Sequence, residues 1–183
     1  VAKAQIQDLK VFLADYPKWI QAQDALHVGT HPPGLFVVSW GLLRLMEGHP
    51  EWSRPVTALF PDSLTMGFKS VDAVRPLPIA DRASLGLTGL ITLVLCASTC
   101  IPVYILARRE LGAGASWTAA VLWPLVPSAM LFQPAADTAF PFLAGTALAC
   151  AAWADRRPSL AIVAGGLLGV GTQFTLAFFP VGL

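Results

Sequence analysis

The sequence predicts an all-α protein, a polytopic membrane helical bundle with amphipathic interfacial helices at the N-terminus. Of its 183 residues, 55% are hydrophobic and 13% are charged, whereas a soluble domain carries about 25% charged residues. Residues 1–82 hold 8 Lys/Arg and 8 Asp/Glu, out of 12 and 11 in the whole chain. The remaining 101 residues are therefore nearly uncharged, and we expect them to form the bilayer part.

The N-terminal stretch has the pattern of an amphipathic helix. Its apolar residues recur at helical spacing between residues 2 and 16: Ile6, Leu9, Leu13 and Tyr16. Pro17 is expected to open a second short helix. Trp19 beside Lys18 suits the headgroup level of a membrane, because indole and ammonium groups favour that interface. An ordinary amphipathic helix packed on a soluble domain is the alternative.

Residues 29–34, with the sequence Gly-Thr-His-Pro-Pro-Gly, form a rigid joint before the apolar run Leu35–Leu43. Pro32 and Pro33 lack backbone N–H groups and fix φ near −65°, so this stretch can begin a helix but cannot continue one. The joint lies where polar sequence gives way to apolar sequence. We therefore divide the chain into an interfacial part, residues 1–34, and a transmembrane part, residues 35–183.

The transmembrane part is predicted to contain five segments and, at residues 47–82, one polar loop with at most short interfacial helices. The segments cover about 35–46, 83–107, 114–133, 138–154 and 159–183. The first is shorter than the ~20 residues of a full crossing and contains Arg44, so it either spans or dips in and returns. The third is expected to be bent or interrupted by Pro124 and Pro127. In the last, four glycines would let another helix approach closely.

Two arginine pairs set the predicted orientation. If Arg108-Arg109 and Arg156-Arg157 are cytoplasmic, the loop at Asp137 lies on the outer face. The same parity places the loop before Ala83 outside. His31 shares that face if residues 35–46 are re-entrant or if residues 47–82 conceal a further crossing, and the sequence leaves both options open.

Composition also excludes several functions. A formal net charge of +1 provides no basic face for nucleic acid. The spacing of Cys96, Cys100 and Cys150 matches neither a zinc site nor a disulfide framework, and we expect no metal and no cofactor. The chain begins with Val1 and ends within an apolar run, so we expect it to be a fragment of a longer multi-pass protein.

Four features in this order resemble the polytopic GT-C glycosyltransferases, in particular the group related to dolichyl-phosphate-mannose protein mannosyltransferases and bacterial aminoarabinose transferases. They are the amphipathic stretch leading into His31-Pro32-Pro33-Gly34, the arginine in Asp81-Arg82-Ala83-Ser84-Leu85, the helix end from Val103 to Gly112, and Gln133-Pro134-Ala135-Ala136-Asp137.

This resemblance implies an enzyme of the bacterial inner membrane. Members transfer a sugar from a polyprenyl-phosphate donor to the hydroxyl of an acceptor glycan, lipid or protein on the extracytoplasmic side. The reaction needs a carboxylate to take the acceptor proton and cationic groups to hold the departing phosphate. By the family's spacing, the catalytic acidic pair falls before Val1. The catalytic residues are therefore unknown here, and Asp8, Asp15 and Asp24 are candidate bases only if that spacing has slipped.

The resemblance assigns donor phosphate binding to His31 and Arg82. It assigns shaping of the substrate site to five residues: Thr30, Pro32, Pro33, Gly34 and Asp137. Simpler interpretations exist for three of these residues. His31 would be a solvated helix cap, Arg82 a flanking interfacial charge, and Asp137 the cap of a helix beginning at Thr138.

Two other classes of membrane protein remain as alternatives. A secondary transporter would also have broken helices rich in proline and glycine, but it should carry an ionisable site inside the membrane, and the long apolar runs contain none. A non-catalytic membrane subunit would have no cavity at the outer ends of the helices near His31 and Asp137.

Overall fold

The computed structural model describes Ile6, residues 8–22 and residues 32–182. Throughout this part the chain is helical, without strands, so the all-α prediction is confirmed. The α-helices are α1 Leu9–Gln21, α2 Gly34–Gly48, α3 Pro50–Ala58, α4 Asp62–Val74, α5 Ile79–Ser98, α6 Cys100–Glu110, α7 Ala113–Val121, α8 Pro127–Leu131, α9 Phe140–Ala152 and α10 Ser159–Thr172. Short 3₁₀ turns lie at Trp123–Leu125, Ala136–Ala139, Leu176–Phe178 and Pro180–Gly182.

The chain forms two compact units. The first contains the described residues of Val1–Asp24 and Pro33–Ile91, and the second contains those of Ala25–Pro32 and Thr92–Leu183. Each unit is described by itself below.

Helix α1 carries the aromatic core of the first unit. Ile6, Phe12 and Tyr16 are buried and pack with partly buried Trp19 and Phe36. The ring centroids of Trp19 and Phe36 are 5.3 Å apart in an edge-on arrangement, which aromatic quadrupoles favour. The amphipathic pattern of the sequence is thus a packing face within the unit, as the soluble-domain alternative would also require.

The second short helix predicted at Pro17 is wrong. Helix α1 runs without a break through Pro17 to Gln21. Its start is fixed by Asp8, whose Oδ1 accepts hydrogen bonds from the N–H groups of Lys10 at 2.8 Å and Val11 at 3.2 Å. Because this cap satisfies two of the unpaired donors at the helix start, and because aromatic residues before and after Pro17 join one core, the helix tolerates the missing proline donor.

Residues 47–82 are predominantly helical rather than a loop. Helices α3 and α4 occupy 9 and 13 residues of this stretch. Two of the prolines that suggested a loop mark helix starts, since Pro50 lies in the first turn of α3 and Pro61 is the N-cap of α4, while Pro55 lies inside α3. Proline is favourable at helix starts because the first helical N–H groups lack partners anyway.

One helix among the described residues is long and apolar enough to cross a membrane. It is the continuous 32-residue stretch Ile79–Glu110, made of α5 and α6, and it contains the predicted segment 83–107. Two other apolar helices are shorter, Ala136–Ala152 and Ser159–Thr172. The structure therefore reproduces the predicted segments 35–46 and 83–107 as helices at full length, and it breaks or shortens those at 114–133 and 159–183.

Proline and a folded-back tail shorten the later helices. The predicted segment 114–133 is broken into α7, a 3₁₀ turn and α8, with Pro124 and Pro127 at the breaks. The predicted segment 159–183 is helical to Thr172, after which Phe178 packs on Gly171. Within the described residues, Gly165, Gly166 and Gly169 face open space, so the close helix approach expected there is absent.

Helices α6, α9 and α10 form the core of the second unit. A Cβ atom added to Gly145 of α9 would lie 3.3 Å from the Pro102 ring of α6, so the small residue permits a close approach of the two helices. Arg109 at the end of α6 donates two hydrogen bonds of 3.2 Å to the Asp155 carboxylate after α9. The two arginine-bearing ends are therefore neighbours, as the predicted orientation requires.

Candidate functional sites

The proline-rich joint is described from Pro32 onward. Thr30 and His31 lie outside the described residues, so the predicted phosphate contact of His31 and its shared pocket with Asp137 stay predictions. Pro33 is the N-cap of α2, with φ −69° and ψ −2°, and its carbonyl accepts the Val37 N–H at 3.0 Å. Gly34 is the first helical residue. The joint starts a helix, as predicted, although Pro33 is helical rather than extended.

Arg82 fixes the corner between α4 and α5. Its Nη2 lies 2.8 Å from Oδ2 of Asp72, and its Nε donates to the Leu77 carbonyl at 3.1 Å. The other carboxylate oxygen of Asp72 accepts the Leu77 N–H at 3.1 Å. The side chain of Arg82 is about a third exposed. Arg82 therefore has a structural role, and its planar guanidinium retains further N–H groups for another partner.

Arg82 also lines a cavity of about 130 Å³, which we call the Arg82 cavity. Its other lining residues are Thr57, Phe60, Thr65, Phe68 and Lys69. The centroids of the two phenylalanine rings lie 5.9 Å apart. Pockets for drug-sized ligands measure about 300–1,000 Å³, so this cavity suits a head group such as a phosphate.

The charges of the Arg82 cavity leave one cation unpaired. The ammonium group of Lys69 is exposed and forms no ion pair within the described part of the chain, while Asp72 pairs with Arg82. The Thr57 hydroxyl donates to the Arg54 carbonyl at 3.0 Å. Because that bond uses the hydroxyl proton of Thr57, the cations are what favour an anion, and the cavity offers a cationic rim beside two aromatic rings, which fits a monoanion with an apolar tail.

Lys69, Thr57 and Thr65 are not among the site residues predicted from the sequence. Thr65, Lys69 and Asp72 follow helical spacing on α4 and so share a face. This helical spacing is visible in the sequence, but the prediction of a loop at residues 47–82 left it unused.

Asp137 lines a cavity of about 330 Å³ in the second unit, which we call the Asp137 cavity. Trp123, Ser128 and Phe132 are among its walls. Asp137 is exposed and lies in the 3₁₀ turn Ala136–Ala139. A carboxylate and a hydroxyl beside two aromatic rings form a chemically mixed pocket, which suits a polar ligand with an apolar face.

The helix-cap interpretation of Asp137 is wrong. Helix α9 begins at Phe140, its N-cap is Ala139, and no side chain caps it. The preceding 3₁₀ turn has Ala135 as its N-cap. Because the turn separates Asp137 from the first unpaired N–H groups of α9, its carboxylate is not used as a cap and lines the cavity instead.

Gln133 supports the wall of the Asp137 cavity. Its Nε2 donates to the Ala129 carbonyl at 3.2 Å and to the Thr138 hydroxyl oxygen at 3.0 Å. Its Oε1 is buried and has no hydrogen-bond partner among the described residues. Trp123 is held by its indole N–H, which donates to the Cys96 carbonyl at 2.8 Å. These bonds fix two walls of the cavity, so its shape is set before any ligand binds.

The three aspartates considered as alternative catalytic bases differ in their placement. Asp8 caps α1 and so has a structural function. Asp15 is exposed on α1, and Asp24 lies outside the described residues. Over the described ranges, no group of three or more His, Cys, Asp or Glu side chains is placed to hold a metal ion.

The comparisons with known proteins found no match, so the resemblance to the GT-C glycosyltransferases stays a prediction from the sequence. No family model, no curated protein and no solved structure matches this chain.

Proposed function

We propose that this chain is part of a GT-C-type membrane glycosyltransferase. It would transfer a sugar from a polyprenyl-phosphate-linked donor to an acceptor hydroxyl on the extracytoplasmic side. The observation that carries the proposal is the Arg82 cavity. Arg82, which the resemblance assigned to the donor phosphate, lines a small cavity with a second cation, Lys69, that pairs with no carboxylate among the described residues.

The charge of the Arg82 cavity matches the donor. A polyprenyl-phosphate sugar is a phosphodiester and carries one negative charge. Asp72 balances Arg82, so Lys69 supplies the one uncompensated positive charge. Hydrogen bonds to charged groups contribute about 1.5–3 kcal/mol. The same cations would stabilise the phosphate as it leaves, when its charge increases.

The Asp137 cavity, taken by itself, has the features of a sugar site. Its volume of about 330 Å³ falls at the lower end of small-molecule sites. Sugars present both hydroxyl groups and an apolar ring face, and the Asp137 carboxylate with the Trp123 and Phe132 rings matches both. We assign this cavity to a sugar or to the acceptor.

Exposed apolar side chains support a multi-pass membrane location. Beyond the helix Ile79–Glu110, large hydrophobic residues are exposed on the other apolar helices, including Trp117 at 64% and Ile162 at 80%. Soluble monomers rarely expose extended apolar patches. We propose that lipid covers these surfaces and that α7, α9 and α10 lie within the bilayer.

The proposal is tested by donor kinetics of the complete protein in membranes. Arg82→Gln and Lys69→Gln should each raise the KM for the polyprenyl-phosphate sugar roughly tenfold to a hundredfold, because each removes a charge-assisted contact. Arg75→Gln is the matched control. Arg75 is an exposed arginine of the same unit and should leave the KM unchanged.

Asp72→Asn separates binding from folding. This change breaks the ion pair at the corner but keeps both cations, so a phosphate role predicts a smaller KM increase than Arg82→Gln causes. If Asp72→Asn and Arg82→Gln have equal effects while Lys69→Gln has none, the cavity is structural. The transporter and the non-catalytic subunit would then be the better interpretations.

A further inference from the structure

The second unit has an apolar groove at the arginine-bearing ends of its helices. We call it the Trp153 groove. It measures about 320 Å³, and its walls include Pro102, Ile105, Phe142, Thr146, Trp153 and Leu160. The groove is open, and it lies along α6 and α9.

The polar groups of the groove form hydrogen bonds within the chain. The Thr146 hydroxyl donates to the Phe142 carbonyl at 2.6 Å, and the Trp153 indole N–H donates to the Ile105 carbonyl at 3.3 Å. No polar atom contributes to the exposed lining. A ligand inside the groove therefore meets hydrocarbon and sulfur, which favours an alkyl chain over a sugar or a soluble anion.

Cations lie directly beside this lining. The guanidinium carbon of Arg156 is 4.6 Å from the centroid of the Trp153 ring, a cation–π distance. Trp153 thus belongs to the groove and also contacts a cluster of arginines at the helix ends, Arg109, Arg156 and Arg157, which we call the basic cluster. Arg157 is exposed and forms no ion pair within the described ranges.

The basic cluster has excess positive charge. Three arginines belong to it, Arg109, Arg156 and Arg157, while the guanidinium of Arg108 donates to the Leu111 carbonyl at 2.6 Å. Two carboxylates oppose them. Asp155 binds Arg109 through both oxygens, and Glu110 lies 3.6 Å from the same guanidinium. Arg109 therefore uses both acids, and Arg156 and Arg157 remain for an external anion.

We infer that the Trp153 groove binds an anionic phospholipid, with an acyl chain along the groove and the phosphate at Arg156 and Arg157. Charge complementarity selects this occupant. A zwitterionic lipid would gain less from the cluster, and a second copy packed side by side in the membrane would bring two positive ends together. Basic sites at helix ends commonly recognise acidic headgroups in this way. The inference rests on the membrane location proposed above and not on the glycosyltransferase chemistry.

Cys150 reports occupancy of the groove, because it is part of the lining and is partly exposed. The experiment uses the complete protein in detergent, with every other cysteine replaced by alanine. The alkylation rate of Cys150 by a small maleimide is measured against added phosphatidylglycerol or phosphatidylcholine with the same acyl chains. We expect phosphatidylglycerol to slow alkylation at much lower concentrations than phosphatidylcholine.

The double variant Arg156→Gln/Arg157→Gln should weaken protection by phosphatidylglycerol about thirtyfold. Each arginine near an anionic lipid strengthens binding about fivefold, and the effects of the two multiply. The matched control, Arg54→Gln/Arg75→Gln, removes the same charge from exposed positions of the first unit and should leave protection unchanged.

Two results would overturn the inference. Equal protection by both lipids would show a membrane-facing groove without headgroup recognition. No protection by either lipid, together with an oligomer that dissociates on dilution as Cys150 becomes reactive, would show that a second copy covers the groove. Donor KM values of the Arg82 variants do not enter either result, so the two proposals fail separately.

Discussion

At the scale of single residues, Tyr16 shows how the first unit controls ionisation. Burial raises the pKa of the Tyr16 phenol above its ordinary value of 10.0. The ring lies 5.5 Å from that of Phe12 and 5.7 Å from that of Trp19, centroid to centroid. These apolar neighbours disfavour the phenolate, because a charge loses hydration when it is buried.

This shift predicts a pH dependence of stability. The raised pKa means that the folded state holds the proton more tightly than the unfolded state. The stabilisation is therefore complete below pH 10 and is lost as the pH rises through the folded pKa. In a Tyr104→Phe variant, which leaves Tyr16 as the one tyrosine of this chain, phenolate absorbance should titrate with a midpoint above 10. A midpoint equal to that in denaturant would contradict the burial.

At this scale, the sequence identified Arg82 and Asp137 as candidates, and both line cavities. It could not predict the partners of Arg82, because Asp72 and Lys69 reach it through the fold of α4. The misplaced cap at Asp137 has a similar cause. A 3₁₀ turn delays the start of α9, and helix boundaries of this kind are poorly marked by side-chain type.

At the scale of helices, Gly86 of α5 controls the position of Phe60. A Cβ atom at this position would overlap the Phe60 ring, and that ring is a wall of the Arg82 cavity. The absence of a side chain at Gly86 therefore allows α5 to support the cavity.

Gly86→Ala should displace Phe60 and lower the free energy of unfolding by about 1–3 kcal/mol, the usual cost of overpacking. The same change should raise the donor KM. Unfolding of the complete protein in detergent micelles measures the first effect. Gly67→Ala is the matched control, since nothing lies within 4 Å of that position on α4. Equal stability of both variants would show that the ring moves aside freely.

Helical periodicity predicted α1, because its apolar residues face a core over several turns, whereas the length of uncharged runs predicted α5 with α6 and α9. Proline was the main source of error. Pro50 and Pro61 begin helices, Pro17 lies inside one, and Pro124 and Pro127 break one. Proline is favourable at a helix start because the first N–H groups lack partners, yet Pro17 and Pro55 lie inside unbroken helices. A proline in the sequence therefore does not by itself show where a helix ends.

Considering the whole molecule, the apolar runs of the sequence are longer than the helices that form in them, so run length overestimates how many helices are long enough to cross a membrane. A crossing takes about 20 residues, and α9 and α10 have 13 and 14. An apolar run sets only the upper limit of a helix, because a 3₁₀ turn or a folded-back tail uses the rest. The number of membrane crossings thus depends on whether helices shorter than the hydrocarbon thickness lie across the bilayer.

We propose that the Arg82 cavity recognises the phosphate of a polyprenyl donor. The most direct measurement is the equilibrium binding of a short-chain polyprenyl phosphate and of the matching polyprenol to the complete protein. The account predicts that the phosphate strengthens binding at least tenfold, and that Arg82→Gln and Lys69→Gln remove most of this advantage while Arg75→Gln keeps it. Equal affinity for the phosphate and the alcohol, or an advantage unchanged by both variants, would contradict it.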